Sequence, residues 1–204
     1  MRSRIDVSDL PSTVYGHPAP LWWGVVGLIV IESMVFALLV GAYYYLRGGE
    51  SVWPPPGDDP PLTLPAINLI VLLASAIPMH LVVRETDRMD RKPDLRRMRF
   101  WLLICTILGF LFLVGRAFTL SQMGFRWDSH VYGSIVWVLF GMHSIHALTS
   151  VGENVLFLAL LYKGPVEEKH LLDVRLNALY WYFVVASWAV LFAVIYFDSG
   201  VLRD

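Results

Sequence analysis

The stretch LWWGVVGLIVIESMVFALLVGAYYYL, residues 21–46, contains one ionisable acid or base, Glu32, and no proline. It exceeds the roughly 20 apolar residues a helix needs to cross about 30 Å of hydrocarbon. The run is continuous rather than alternating, so it reads as a helix and not as a barrel strand. Outward from it lie four more such runs, 64–83, 100–120, 131–162 and 178–197. Of the 16 basic and 17 acidic residues of the 204-residue chain, only Glu32, Arg116 and Glu153 fall inside the five. The rest sit in the tails and connections. An all-α, polytopic bundle of five transmembrane helices is the expected fold. The fourth run is too long for an upright span, so it is expected to tilt or to extend beyond the bilayer.

Composition excludes other classes. Hydrophobic residues make up 56% and charged residues 16%, more apolar surface than a single soluble domain of this size has interior to hide. A net charge of -1 leaves no footprint for nucleic acid. The single cysteine, Cys105, excludes an internal disulfide and a Cys-based metal cluster.

The loops set an expected orientation. The amino-terminal tail, the second loop and the fourth loop share a side and hold 12 of the 16 Lys and Arg, against Arg47, Arg126 and Arg203 opposite. The positive-inside rule then places the amino terminus in the cytoplasm and the carboxyl terminus in the periplasm. Residues 1–20 read as a cytoplasmic tail without a signal-peptide core, 21–197 as the membrane domain and 198–204 as a periplasmic tail. The arginine-rich segment 84–99 has interleaved acids and reads as a solvated loop. Trp22, Trp23, Tyr43, Tyr44, Tyr45, Trp53, Trp101, Trp127 and Tyr196 lie near span ends and read as interfacial aromatics.

Polar residues within the spans are the candidate functional groups. Glu32 lies about 16 Å into its span at 1.5 Å per residue, near mid-bilayer. A carboxylate there must face protein or water, or hold its proton. It is the candidate proton-linked or subunit-contacting residue, with a hydrogen-bonded packing role as the alternative. On the fourth span His143, His146, Ser150, Glu153 and Asn154 fall within about 100° of arc, a polar stripe expected to face other helices. His143 and His146 could ligate a haem in principle, but hydrogen-bonded packing is the stronger expectation and no metal site is assigned. Arg116 is expected to snorkel toward the outer surface and, with Arg47 and Arg175, to meet lipid headgroups. No catalytic residue stands out.

Several segments, taken in order, resemble subunit III of the haem–copper oxidases, the cytochrome c oxidase family, in its short bacterial form. They are WWGVVGLIVIESMVFALLVGAYYYLR (22–47), WPP (53–55), LPAIN (64–68), LLAS…MH (72–80), GFLFLVGRAF (109–118), VYGS…GMHSIHAL (131–148) and YWYFVVASW (180–188). Glu32 matches the family's membrane glutamate, and His143 and His146 its fourth-span histidines. The resemblance implies a non-catalytic subunit in the bacterial inner membrane, partnered by catalytic subunit I and subunit II. Those partners would carry the haems and copper; this chain would hold phospholipid and support proton uptake and oxygen reduction. It departs from the family pattern at Arg116, Glu153, Asn154, Arg175, Tyr182 and Val185. Alternatives are an accessory subunit of a nitric oxide reductase system, a b-type membrane cytochrome and a small proton-coupled transporter.

Overall fold

A computed structural model describes residues 20–58, 60–86, 94–163 and 168–198. These residues form five helices: α1 Pro20–Gly48, α2 Thr63–Thr86, α3 Leu95–Ser121, α4 Val131–Lys163 and α5 Glu168–Asp198. All five are long and apolar enough to cross a membrane. The expected tails at 1–19 and 199–204 lie outside the described residues.

Local chemistry accounts for the helix ends. Pro65 sits in the first turn of α2, where a missing N–H is tolerated because that donor has no helical acceptor. Asp94 caps α3, its Oδ1 accepting from the amides of Arg96 (3.1 Å) and Arg97 (3.3 Å). At the start of α4, Gly133 N–H donates to His130 Nδ1 at 2.9 Å. The 33 residues of α4 make a rod about 50 Å long, which outruns a hydrocarbon core.

The fifth helix differs from expectation. It begins at Glu168, not near residue 178. Polar residues end the apolar run at its amino-terminal side, but they do not end the backbone hydrogen bonding. Asp173, Arg175 and Asn177 therefore enter the bundle on a helix.

Packing is uneven. α2 and α3 form the tightest pair; α5 touches α1, α2 and α4, whereas α1 touches only α4 and α5. Accordingly α1 buries just Phe36 and Tyr43, while α5 sends Val174, Ala178, Trp181, Val184, Trp188, Ile195 and Tyr196 into the core. Close approach requires glycine at two points on α3. A Cβ at Gly115 would stand 2.1 Å from Asn68 Oδ1, and one at Gly109 would stand 2.7 Å from Val151 and 2.9 Å from Trp181. Small residues at such crossings let membrane helices gain van der Waals contact without a hydrophobic drive.

Three residues read as interfacial aromatics belong to the interior. Tyr43 and Tyr196 are fully buried. Trp53 folds down onto α1 and α4, donating to Tyr43 Oη at 2.9 Å and lying edge-on to Tyr132. The loop it heads is tied to the α3–α4 connection by Asp58 and His130, 2.9 Å apart.

Candidate functional site

Glu32 of α1 meets α4 and α5. Tyr180 Oη donates to its Oε2 at 2.7 Å, and His146 Nε2 stands 3.7 Å from its Oε1. The Glu32 and His146 side chains are only 18% and 12% exposed. Phe36, one turn along α1, packs on the His146 ring at 5.1 Å between centres.

The histidine geometry constrains the proton. His146 Nδ1 lies 2.6 Å from the Met142 carbonyl oxygen, which can only accept, so Nδ1 carries hydrogen and donates. A neutral ring then presents a lone pair at Nε2 to the carboxyl group. That nitrogen stands 3.7 Å from Glu32 Oε1, beyond hydrogen-bond distance. Glu32 and His146 thus face each other largely buried, with Tyr180 Oη donating to the second carboxyl oxygen.

The polar stripe of α4 divides at this point. His143, Ser150 and Asn154 lie within about 20° of one another's mean direction on a helical projection and are fully buried. His143 Nε2–H donates to the Val184 carbonyl at 3.0 Å, and its ring packs against Phe112 and Trp188. Asn154 Oδ1 accepts from Asn177 Nδ2 at 2.7 Å. His146 and Glu153, turned about 60–80° away, look toward α1 instead. Glu153 is exposed on a cleft of about 440 Å³ between α1, α4 and α5, which Thr149, Asp173, Asn177 and Tyr180 also line. The expected stripe is therefore one core column plus a two-residue edge belonging to the Glu32 cluster.

Arg116 does not snorkel, and no headgroup can reach it. It is 3% exposed, and its guanidinium carbon lies 3.5 Å from the ring centre of Trp188, 4.5 Å from that of Phe140 and 4.9 Å from that of Phe112. Depth along a helix does not fix the face on which a side chain lies. Arg116 continues the buried row Leu102, Cys105, Gly109 and Phe112 of α3, so it points inward. Three aromatic faces supply attraction for a desolvated cation, in place of the hydrogen bonds its nitrogens lack among the described residues.

Arg175 is tied to the end of α2: its Nε donates to Thr86 Oγ1 at 2.9 Å and an Nη to the Thr86 carbonyl at 2.8 Å. Arg47 is half-buried in the last turn of α1, where the helix field favours a cation. Sequence reasoning missed Tyr180 and Asn177, the partners of Glu32 and Asn154. No local pattern marks them, because both contacts are made between different helices, 148 and 23 residues apart in the chain. Among the described residues, no three His, Cys, Asp or Glu side chains converge as a metal-binding group.

The five-helix architecture, with a mid-span glutamate held by a histidine and a tyrosine, can be set against known proteins. The family profile described as Cytochrome c oxidase subunit III matches residues 16–200. The chain belongs to the cytochrome c oxidase subunit III family. It is 29% identical over 184 residues to cytochrome c oxidase subunit 3 of Thermostichus vulcanus, covering 88% of both chains. It is 30% identical over 202 residues to that of Synechocystis sp., covering 93% of this chain and 84% of the relative. The rat protein is 31% identical over 203 residues, covering 90% and 74%. Membership of this family makes the chain a multi-pass membrane component of an oxidase complex.

Proposed function

We propose that the chain is a non-catalytic subunit of a respiratory terminal oxidase that reduces oxygen to water, and that its Glu32 cluster supports proton uptake by that complex. The reading is carried by one observation: in a chain matching the subunit III family over 16–200, the mid-span carboxyl is paired with His146 and Tyr180. Such a pair takes up a proton on one side and releases it on the other without leaving a bare charge in the bilayer. Haems and copper belong to the catalytic subunit I and to subunit II, alongside which this chain sits. Each α4 histidine makes one backbone hydrogen bond: His143 Nε2–H donates to the Val184 carbonyl and His146 Nδ1–H to the Met142 carbonyl. Phospholipid fills the cleft between α1, α4 and α5, which leucines of all three helices line (Leu21 and Leu28, Leu156 and Leu160, Leu176) beside the polar Thr149, Glu153, Asp173, Asn177 and Tyr180. The amino terminus faces the cytoplasm in a bacterial inner membrane.

The test is Glu32→Gln in the assembled oxidase. The metal spectrum and subunit composition stay as in the wild type, while proton pumping or the lifetime during turnover falls. Equal pumping and equal lifetime in the two enzymes would remove the proton-linked role.

A further inference from the structure

We propose that Glu153 is the proton entry to Glu32, fed along the polar edge of the cleft between α1, α4 and α5 from the side on which α4 and α5 are joined. The proposal rests on the reading of Glu32 as a proton-linked group and names the residue that supplies it. Glu153 is among the residues at which the chain departs from the family pattern, so the entry belongs to this chain and not to the family. The cleft measures about 440 Å³, and five of its lining residues are polar: Thr149 and Glu153 on α4, and Asp173, Asn177 and Tyr180 on α5. All the others are apolar, and none is basic.

The polar residues form two rows. Asp173, Asn177 and Tyr180 recur at i, i+4 and i+7 on α5 and fall within about 60° of arc; Glu153, Thr149 and His146 do the same on α4. Each row climbs about 10 Å and ends on Glu32, where Tyr180 Oη donates to Oε2 and His146 Nε2 faces Oε1. The two helices run in opposite directions, yet both rows start from the α4–α5 end. Glu153 lies about 15 Å before the close of α4 at Lys163. It is exposed on the cleft and makes no hydrogen bond or ion pair among the described residues, so its carboxyl group is available to take up and release a proton.

A second observation points to water at this edge. Asn177 is 5% exposed, and its Oδ1 has no donor among the described residues. Its Nδ2 donates to Asn154 Oδ1 at 2.7 Å. A buried carbonyl oxygen beside a cleft draws a donor from within it, which leucine cannot supply and water can. A proton bound by Glu153 then passes to water, and water protonates Tyr180 Oη as the Tyr180 hydroxyl proton moves to Glu32 Oε2. At the end Glu153 is again a carboxylate, Tyr180 is neutral as before and Glu32 carries the proton. The leucines of the opposite wall stay free for acyl chains.

The experiment compares proton pumping and lifetime during turnover of the purified oxidase complex in vesicles. Glu153→Gln should show most of the loss that Glu32→Gln shows, although glutamine matches glutamate in shape. Glu153→Asp, which keeps an acid on a shorter stem, should perform nearly as the wild type; a residue needed only for packing would give the reverse order. Adding Glu153→Gln to Glu32→Gln should cause no further loss, because both groups lie on one route. Asp128→Asn, beside Arg126 at the opposite end of the bundle, should leave both measures unchanged. A normal Glu153→Gln enzyme beside an impaired Glu32→Gln enzyme would overturn the entry route and leave the role of Glu32 standing. Additive losses, or a Glu153→Asp enzyme as impaired as Glu153→Gln, would overturn it equally. A normal Glu32→Gln enzyme would instead remove the reading on which the proposal rests.

Discussion

Replacing Gly115 by alanine tests the tightest helix crossing in the bundle. The added Cβ would fall 2.1 Å from Asn68 Oδ1 and 2.7 Å from Asn68 Cγ and Nδ2, about 1.4 and 0.8 Å inside ordinary contact, which begins near 3.5 Å. Two responses are open. The α2–α3 pair can part, at the cost of overpacking, about 1–3 kcal/mol. Alternatively Asn68 can rotate, giving up its 3.3 Å hydrogen bond to the Phe112 carbonyl and leaving a buried amide unpaired, about 1–3 kcal/mol. Alanine's better helix propensity returns up to about 1 kcal/mol. The net loss is then about 2 kcal/mol, a roughly thirtyfold shift toward the unfolded side. Reversible unfolding of the chain in mixed micelles, titrated with a denaturing detergent and followed by helicity, measures it. Gly41→Ala, which meets nothing within 4 Å, is the control and should be neutral or slightly stabilising. Combining Gly115→Ala with Asn68→Ala should recover most of the loss. If Gly115→Ala unfolds at the same point as Gly41→Ala, α2 and α3 do not cross at these residues and the packing argument fails.

Tyr180→Phe removes the 2.7 Å bond to Glu32 without changing the shape of the site. Its oxidase should show the Glu32→Gln defect in weaker form with an unaltered metal spectrum; wild-type pumping would deny Tyr180 a positioning role. Asn177→Leu leaves the buried Asn154 without its 2.7 Å partner and should cost about 2 kcal/mol. Pairing it with Asn154→Leu should cost less than that, read from the same unfolding titration. Arg116→Lys exchanges a planar cation for a compact one over three rings and should lose about 1–2 kcal/mol. The near-ultraviolet dichroism of Trp188 should change with it, and an unchanged spectrum would count against the stacked geometry. Cys105 is fully buried in the α2–α3 interface, where its thiol lies 3.5 Å from the Ser75 carbonyl. It should resist alkylation until the bundle unfolds, and rapid labelling of the folded chain would contradict that placement.

Five membrane-length helices, the mid-helix position of Glu32 and the shared sector of the α4 polar residues follow from sequence alone. Each rests on a local quantity: the length of an apolar run, the rise per residue, or the turn per residue. The family resemblance was legible for the same reason, since it consists of short segments in fixed order. Which way a polar side chain points was legible only where several of them shared a helix. Arg116 is the one charged residue of the apolar run 100–120, so its depth could be counted but not its direction. Its aromatic cage comes from α3, α4 and α5 together.

The tertiary structure decided the partners. Glu32 and Tyr180 are 148 residues apart, Asn154 and Asn177 meet across a helix turnaround, and Arg84 and Arg97 converge only because α2 and α3 are the closest pair. Solvation by lipid is a property of each segment and acts residue by residue, so hydrophobicity along the chain is enough to determine the spans. Hydrogen bonds and ion pairs form between side chains a few ångströms apart, and those separations exist only after the helices have packed.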